Sequence, residues 1–350
     1  SLEKMLKDIY DWAQDLSHGP ETMGMTFTAG GTESVFEAFR TARNRARARG
    51  MEGRLNLIIP YTAHPAIDKA AQIMEIDIIR VPVDAEYRAD VPAMAAAIND
   101  KTFFILGSAV CYPYGIYDPI EELGALAVEH DIWLHVDGCW GGFINPFAKQ
   151  LGYAVPKWDL EVPGVMSIST DLHKFAFSTK GASLMLQRYQ ENKDAFETFS
   201  INEWPCGTYE TPSFQGSSGA GSIASAWAMI KFLGNEGYLK TAKAAMDATV
   251  QLTDGVNAIE GLRDVRDGAP VEGNSMAVMS IDPEVDIMAV ADLLDAGGWH
   301  CSRMREPLSI KHSVTPHHLS GVEKFLKDIA AAVEKVRREG LKGEYNERTY

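Results

Sequence analysis

The chain has 350 residues, of which 46% are hydrophobic and 23% are charged. This composition is typical of a globular protein with one large core, or with a large and a small domain, and no apolar run is long enough for a membrane span. The net charge of −15 argues against a nucleic-acid partner, because no basic field attracts phosphates. The four widely spaced cysteines lack a CxxC pair, which argues against a metal site or disulfides and favours a soluble, cytoplasmic protein.

The first two thirds of the sequence alternate between helical and strand patterns. An amphipathic helix at residues 3–17 precedes a short apolar run at 25–28. Strands are then predicted at 55–60, 76–83, 103–107, 132–136, 165–169 and 182–186, and helices at 33–49, 64–74, 91–98 and 120–130. Such alternation is typical of a mostly parallel sheet covered by helices on both faces.

The pattern changes near Tyr238. A long helix at 239–259 is followed by short strands at 262–265, 276–281, 301–304 and 309–314, and by helices at 287–296 and 321–338. We therefore expect an N-terminal helix (1–20), a large domain (21–237) and a small α+β domain (238–350). Residues 340–350 form a polar tail that frays or contacts another segment. The chain starts at Ser1 without a methionine, which favours a product that lacks an N-terminal region.

Two residues after predicted strands carry reactive groups. Lys174 lies in Ser-Thr-Asp-Leu-His-Lys, where an amine at a strand end can form a Schiff base with an aldehyde. Asp137 ends the strand at 132–136, and a carboxylate there faces the ligand crevice of an open parallel sheet. Taken singly, Lys174 could also be a surface lysine, and Asp137 could cap the following loop.

Two further segments suit a flat phosphorylated ligand. Gly30, Gly31 and Thr32 open a helix, where glycines allow close approach and the first-turn N–H groups favour a phosphate. His64 follows the strand at 55–60 and can stack on a ring. An ordinary helix cap and a loop histidine are the alternatives for these segments.

Together these segments resemble the group II decarboxylases that depend on pyridoxal 5′-phosphate (PLP), and within that family the sphingosine-1-phosphate lyases. The resemblance extends from about Leu6 to Gly340, and it is carried by the segments 28–34, 63–71, 136–143, 167–181 and 207–227. It implies an α/β fold of the aspartate-aminotransferase type (fold type I). Such a fold has a mostly parallel seven-stranded sheet and a smaller C-terminal α+β domain. PLP as the cofactor and a homodimer with shared active sites are also implied.

The resemblance also implies roles for individual residues. Lys174 holds PLP as an imine, Asp137 pairs with the pyridine nitrogen, and His64 stacks on the ring. The remaining cofactor-binding residues of this subunit are Gly30, Gly31, Thr32, Asp171 and His173. Gly216 and Ser217 reach the cofactor phosphate of the neighbouring subunit, while Lys180 and one of Tyr112 and Tyr114 face the substrate.

The leading functional hypothesis is cleavage of a carbon–carbon bond in a phosphorylated long-chain base, which yields an aldehyde and an amino-alkyl phosphate. The alternative is decarboxylation of glutamate, aspartate or an aromatic L-amino acid. A third hypothesis is a non-catalytic homologue, but the intact Lys174 and Asp137 argue against it. Cys111 stands where the lyases usually have Asn, and Ser218 where they have Arg. Because of these two departures, the resemblance does not identify the natural substrate.

Overall fold

The computed structural model describes residues 1–345 and separates the chain into two compact units. The first unit comprises residues 1–111, 116–146 and 156–238. The second comprises residues 112–115, 147–155 and the chain from Leu239 onward. Within the described residues, no helix combines the length and the hydropathy needed to cross a bilayer.

A seven-stranded sheet forms the centre of the first unit. Its strands are β1 (Gly24–Thr28), β2 (Asn56–Pro60), β3 (Asp77–Val81), β4 (Thr102–Ser108), β5 (Trp133–Asp137), β6 (Val165–Thr170) and β7 (Ser183–Gln187). They lie in the order β1-β7-β6-β5-β4-β2-β3. The strand β7 pairs antiparallel with both β1 and β6, and the other pairings are parallel. Six strands of this sheet therefore share one direction, which confirms the predicted mostly parallel architecture.

The central strands are buried along almost their whole length because helices cover both faces of the sheet. Every residue of β4, with the sequence TFFILGS, is buried. Such continuous runs are expected for parallel strands enclosed on both sides. The helices of the first unit are α1 (Leu2–Leu16), α2 (Gly31–Ala48), α3 (Ala66–Met74), α4 (Val91–Ala97), α5 (Ile120–His130), α6 (Asn145–Gln150, which continues into the second unit) and the short α7 (Gln190–Asn192).

Two elements after β7 differ from the sequence-based expectation. A hairpin of β8 (Phe199–Trp204) and β9 (Gly207–Thr211) was not predicted, because its residues from 199 to 210 are exposed and leave no buried face to create a pattern. The helix α8 spans Ala220–Asn257 and so begins well before residue 239. It is interrupted at Gly234, whose positive φ of 54° breaks the helical geometry and divides the apolar pattern.

The second unit contains an antiparallel sheet in the order β10-β11-β13-β12. Its elements are β10 (Leu262–Asp264), β11 (Ser275–Ser280), α9 (Ile287–Ala296), β12 (Ser302–Arg305), β13 (Leu308–Ser313) and α10 (Val322–Glu339). A hydrophobic core that includes Val278, Ile310 and Ile329 joins the sheet to the helices. Of the predicted polar tail, Leu341 and Tyr345 pack against this core, and residues 346–350 lie outside the described part.

Candidate active site

The segments that carry the predicted site follow strands of one direction. Gly31 follows β1, His64 follows β2, Asp137 ends β5, and Lys174 follows β6. Because β7 separates β1 from β6 and is antiparallel to both, β1 runs the same way as the parallel strands. Ligands of open α/β sheets bind at the carboxyl ends of such strands. The sheet order therefore brings these four segments to one edge.

The start of α2 forms a cradle with no room for a side chain. A Cβ atom on Gly31 would lie 2.5 Å from Cys139 Sγ and 3.0 Å from Asp171 Oδ1. Gly30 is the N-cap residue, and no side chain caps the first turn. First-turn N–H groups without a side-chain acceptor, together with the helix dipole, favour an anion at this position.

Lys174 is held by an acidic neighbour in the loop after β6. Its Nζ lies 2.8 Å from Asp171 Oδ2, and 27% of the side chain is exposed. Burial lowers the pKa of Lys174, but the interactions with Cys139, Asp171 and Asp137 outweigh burial and raise it above its usual value. Tyr238 donates a hydrogen bond of 3.1 Å to the Ala176 carbonyl and so anchors the same loop.

Asp137 is a partly buried carboxylate that stays ionised. Burial raises its pKa, but the interactions with His64 and Lys174 and the hydrogen bond from the Cys139 N–H, 3.0 Å from Oδ1, outweigh burial, so the net shift is downward. Ser169 Oγ donates to the same Oδ1 at 3.3 Å. A fixed negative charge at this position can pair with a protonated ring nitrogen.

The two histidines of the site are oriented by backbone N–H groups. His64 Nδ1 accepts a hydrogen bond from Ala66 at 3.1 Å, and His173 Nδ1 accepts one from Ala182 at 3.3 Å. Each ring therefore carries its proton on Nε2. Burial lowers the pKa of His173, although Asp171 Oδ2 lies 3.5 Å from its Nε2 and opposes that shift.

The other predicted residues are exposed or belong to the second unit. Lys180 is exposed, and its charge acts on His173. In the second unit, Lys311 Nζ lies 3.0 Å from the centroid of the Tyr112 ring. Tyr114 donates a hydrogen bond to the Glu306 carbonyl of the same unit. Thr32, Gly216 and Ser217 are exposed.

Sequence reasoning did not assign a role to two neighbours of Lys174. Cys139 contacts the Gly31 position, and its backbone and side-chain hydrogen bonds act on Asp137. The Trp140 ring centroid lies 5.8 Å from Lys174 Nζ. Both residues directly follow Asp137-Gly138 in the sequence. Their closeness to a carboxylate at a strand end could therefore have indicated that they belong to the site.

These groups fit PLP. The Lys174 amine suits an aldehyde, the ionised Asp137 suits a pyridine nitrogen, and the uncapped start of α2 suits a phosphate. The lack of a side chain at Gly31 lets Cys139 and Asp171 approach the start of α2 closely. The fold and the site thus define a PLP-dependent protein of the α/β transferase type.

Comparison with known proteins identifies the family. Residues 2–263 match the family model described as the pyridoxal-dependent decarboxylase conserved domain, and the chain belongs to this family. The chain is 40% identical over 326 residues to a sphingosine-1-phosphate lyase of Arabidopsis thaliana, which covers 93% of this chain and 58% of the relative. It is 36% identical over 313 residues to one of Dictyostelium discoideum, covering 89% and 57%. The chain therefore spans less than two thirds of these curated relatives.

Solved structures show the same fold. A sphingosine-1-phosphate lyase of Burkholderia pseudomallei superposes with a TM-score of 0.91 and 36% identity, covering 97% of this chain and 78% of that one. A glutamate decarboxylase of Lactobacillus brevis superposes with a TM-score of 0.83 at 21% identity, covering 96% and 81%, and supports the fold alone. The predicted family, fold type and PLP cofactor are confirmed.

Proposed function

We propose that the protein is a PLP-dependent carbon–carbon lyase. Its substrate would be a phosphorylated long-chain base, and its products an aldehyde and an amino-alkyl phosphate. The observation that carries this proposal is the 40% identity over 93% of the chain to a protein of that name. The arrangement of Lys174, Asp137 and the α2 start supplies the groups that such chemistry requires.

Each residue has a distinct proposed task. When bound, PLP supplies an electron-accepting ring for the electrons of the cleaved bond. Lys174 would hold the cofactor aldehyde and would move protons at the substrate carbon, while Asp137 would keep a proton on the ring nitrogen. His64 would stack on the ring, and Gly30, Gly31, Thr32, Asp171 and His173 would complete the cofactor site. Lys180, Tyr112 and Tyr114 are the proposed substrate-facing residues.

A product assay tests this proposal. The PLP-loaded protein is incubated with sphingosine 1-phosphate, and long-chain aldehyde is measured by mass spectrometry. We expect aldehyde from the wild-type protein and none from Lys174→Ala. Release of carbon dioxide from glutamate, aspartate or an aromatic amino acid, without aldehyde, would instead support the decarboxylase alternative, which the family description favours.

We also propose a homodimer in which Gly216 and Ser217 contribute to the partner's cofactor phosphate. The supporting observation is the set of exposed apolar side chains on and just after the β8–β9 hairpin, Phe199, Ile201, Trp204 and Phe214, whose exposed fractions are 49%, 41%, 51% and 78%. Exposed apolar patches of this kind mark interaction sites.

We further propose that the large PLP-binding domain comprises residues 21–237. The four free cysteines suit the reducing environment of the cytoplasm.

Light scattering after size exclusion tests the dimer. Trp204→Glu should shift the protein toward the monomer, because a charge in a buried apolar interface is costly. Ile73→Glu is the matched control, since Ile73 is 60% exposed on α3. A wild-type monomer, or equal effects of both substitutions, would contradict the proposed interface.

A further inference from the structure

A row of buried polar side chains leads from Asp137 into the interior of the sheet. Trp133, His135 and Asp137 alternate along β5 and therefore lie on one face of the sheet. In the register between β5 and β6, Ser167 lies opposite His135, and Ser169 lies opposite Asp137. Trp133 is 1% exposed, and His135, Ser167 and Ser169 are 0% exposed.

Four hydrogen bonds connect this row. Trp133 Nε1 lies 2.7 Å from Ser167 Oγ, which lies 2.7 Å from His135 Nδ1. His135 Nε2 lies 3.1 Å from Ser169 Oγ, which lies 3.3 Å from Asp137 Oδ1. Phe104 stacks on the His135 ring with a centroid distance of 5.9 Å. The imidazole is thus enclosed by an apolar ring and two hydroxyl groups.

The chemistry at the two ends determines the direction of these bonds. An indole N–H can only donate, and an ionised carboxylate can only accept. Ser167 accepts from Trp133, so its own proton finds an acceptor at His135 Nδ1. Ser169 in turn accepts from His135 Nε2–H and donates to Asp137. The reverse direction would give the Ser167 proton no acceptor in the row and place the lone pairs of Ser169 against the carboxylate.

Burial lowers the pKa of His135 to about 4, so the ring is neutral and carries one proton. The Cys139 thiol, which contacts both Ser169 and Asp137, keeps its proton because burial raises its pKa. The Asp137 carboxylate therefore has three donors, which are Ser169 Oγ, the Cys139 N–H and the Cys139 thiol.

We propose that Trp133, Ser167, His135 and Ser169 form a one-way hydrogen-bond relay that fixes His135 as the Nε2–H tautomer and positions Asp137. The relay lowers the proton affinity of the carboxylate and thereby keeps the proton on the PLP ring nitrogen. This last step rests on the proposed function of Asp137, whereas the tautomer of His135 does not. The four residues are positioning residues, because they act through Asp137.

The tautomer is measured by nitrogen-15 NMR of the full chain labelled in histidine, with and without PLP. The His135 signal is assigned by its loss in His135→Gln. We expect a neutral ring protonated on Nε2 in both states. A ring protonated on Nδ1, or on both nitrogens at neutral pH, would overturn the relay.

The link to the cofactor is tested with PLP labelled at the ring nitrogen. Ser169→Ala should shift the nitrogen signal toward its unprotonated position and weaken PLP binding about tenfold, the effect of one hydrogen bond to a charged group. Ser169→Thr, which keeps the hydroxyl, should restore both values. Ser183→Ala is the matched control, since Ser183 is a buried serine of the same sheet that donates to the Thr170 carbonyl.

Two outcomes separate failure of the relay from failure of the proposed function. If Asp137→Asn shifts the ring-nitrogen signal and Ser169→Ala does not, the connection from Ser169 to Asp137 is refuted. If neither variant shifts the signal although His135 carries its proton on Nε2, the role of Asp137 is wrong, while the hydrogen-bond direction stands.

Discussion

Replacing Gly31 by alanine tests the close approach at the start of α2. The new Cβ would lie 2.5 Å from Cys139 Sγ, whereas ordinary contacts begin at 3.4 Å, so the sulfur must retreat by about 1 Å. Cys139 also donates its N–H to Asp137, so this movement disturbs the carboxylate as well. Overpacking in such a site costs about 1–3 kcal/mol. We expect a loss of unfolding free energy in this range and weaker PLP binding.

The assay is urea denaturation with and without PLP, applied to Gly31→Ala, Cys139→Ala and the double variant. Removing the sulfur should restore most of the stability, because the two effects are coupled through one contact. Gly221→Ala is the control, since a Cβ on this α8 glycine would meet nothing within 4 Å and should stabilise the helix by up to about 1 kcal/mol. If the double variant loses as much unfolding free energy as the two single variants together, the proposed clash is refuted.

Three further predictions concern single side chains. Lys174→Ala should abolish covalent attachment of PLP, measured by borohydride reduction and mass spectrometry, while circular dichroism stays unchanged because the lysine lies in a loop. Asp137→Ala should lower turnover at least about 10²–10³-fold, the value of one electrostatic contact in a preorganised site, and near-normal turnover would contradict its role. Burial raises the pKa of Glu197 from 4.5 to about 8, so its contribution to stability is complete below pH 4.5 and is lost as the pH rises to about 8. Glu197→Gln should remove that loss, as measured by unfolding at both ends of the range.

Most of the fold was predictable because burial leaves a pattern in the residues themselves. The helices at 120–130 and 287–296 were predicted with the bounds that they have in the structure. In α9 the start is marked by Asp286, whose carboxylate accepts from the Met288 and Ala289 N–H groups. The hairpin β8–β9 has no buried face, so no alternation of polar and apolar residues indicated it.

The site was predictable only as far as its motifs extend. Gly31, Asp137 and Lys174 were found because each lies beside a strand end or at a helix start. The contact of Gly31 with Cys139 joins residues 108 positions apart in the sequence and depends on the strand order. Ser167 and His135 look like ordinary polar residues of strands until the register between β5 and β6 is known.

The position of β1 determines when the cofactor can bind during synthesis. The neighbour of β1 in the sheet is β7, and Thr28 pairs with Ser183, so β1, which leads into α2, cannot join the sheet until residues near 187 have left the ribosome. A nascent chain that ends before β7 already contains the lysine but lacks the ordered phosphate cradle. PLP can therefore stabilise only the completed sheet. The supply of PLP would influence how long finished molecules survive rather than the early steps of folding.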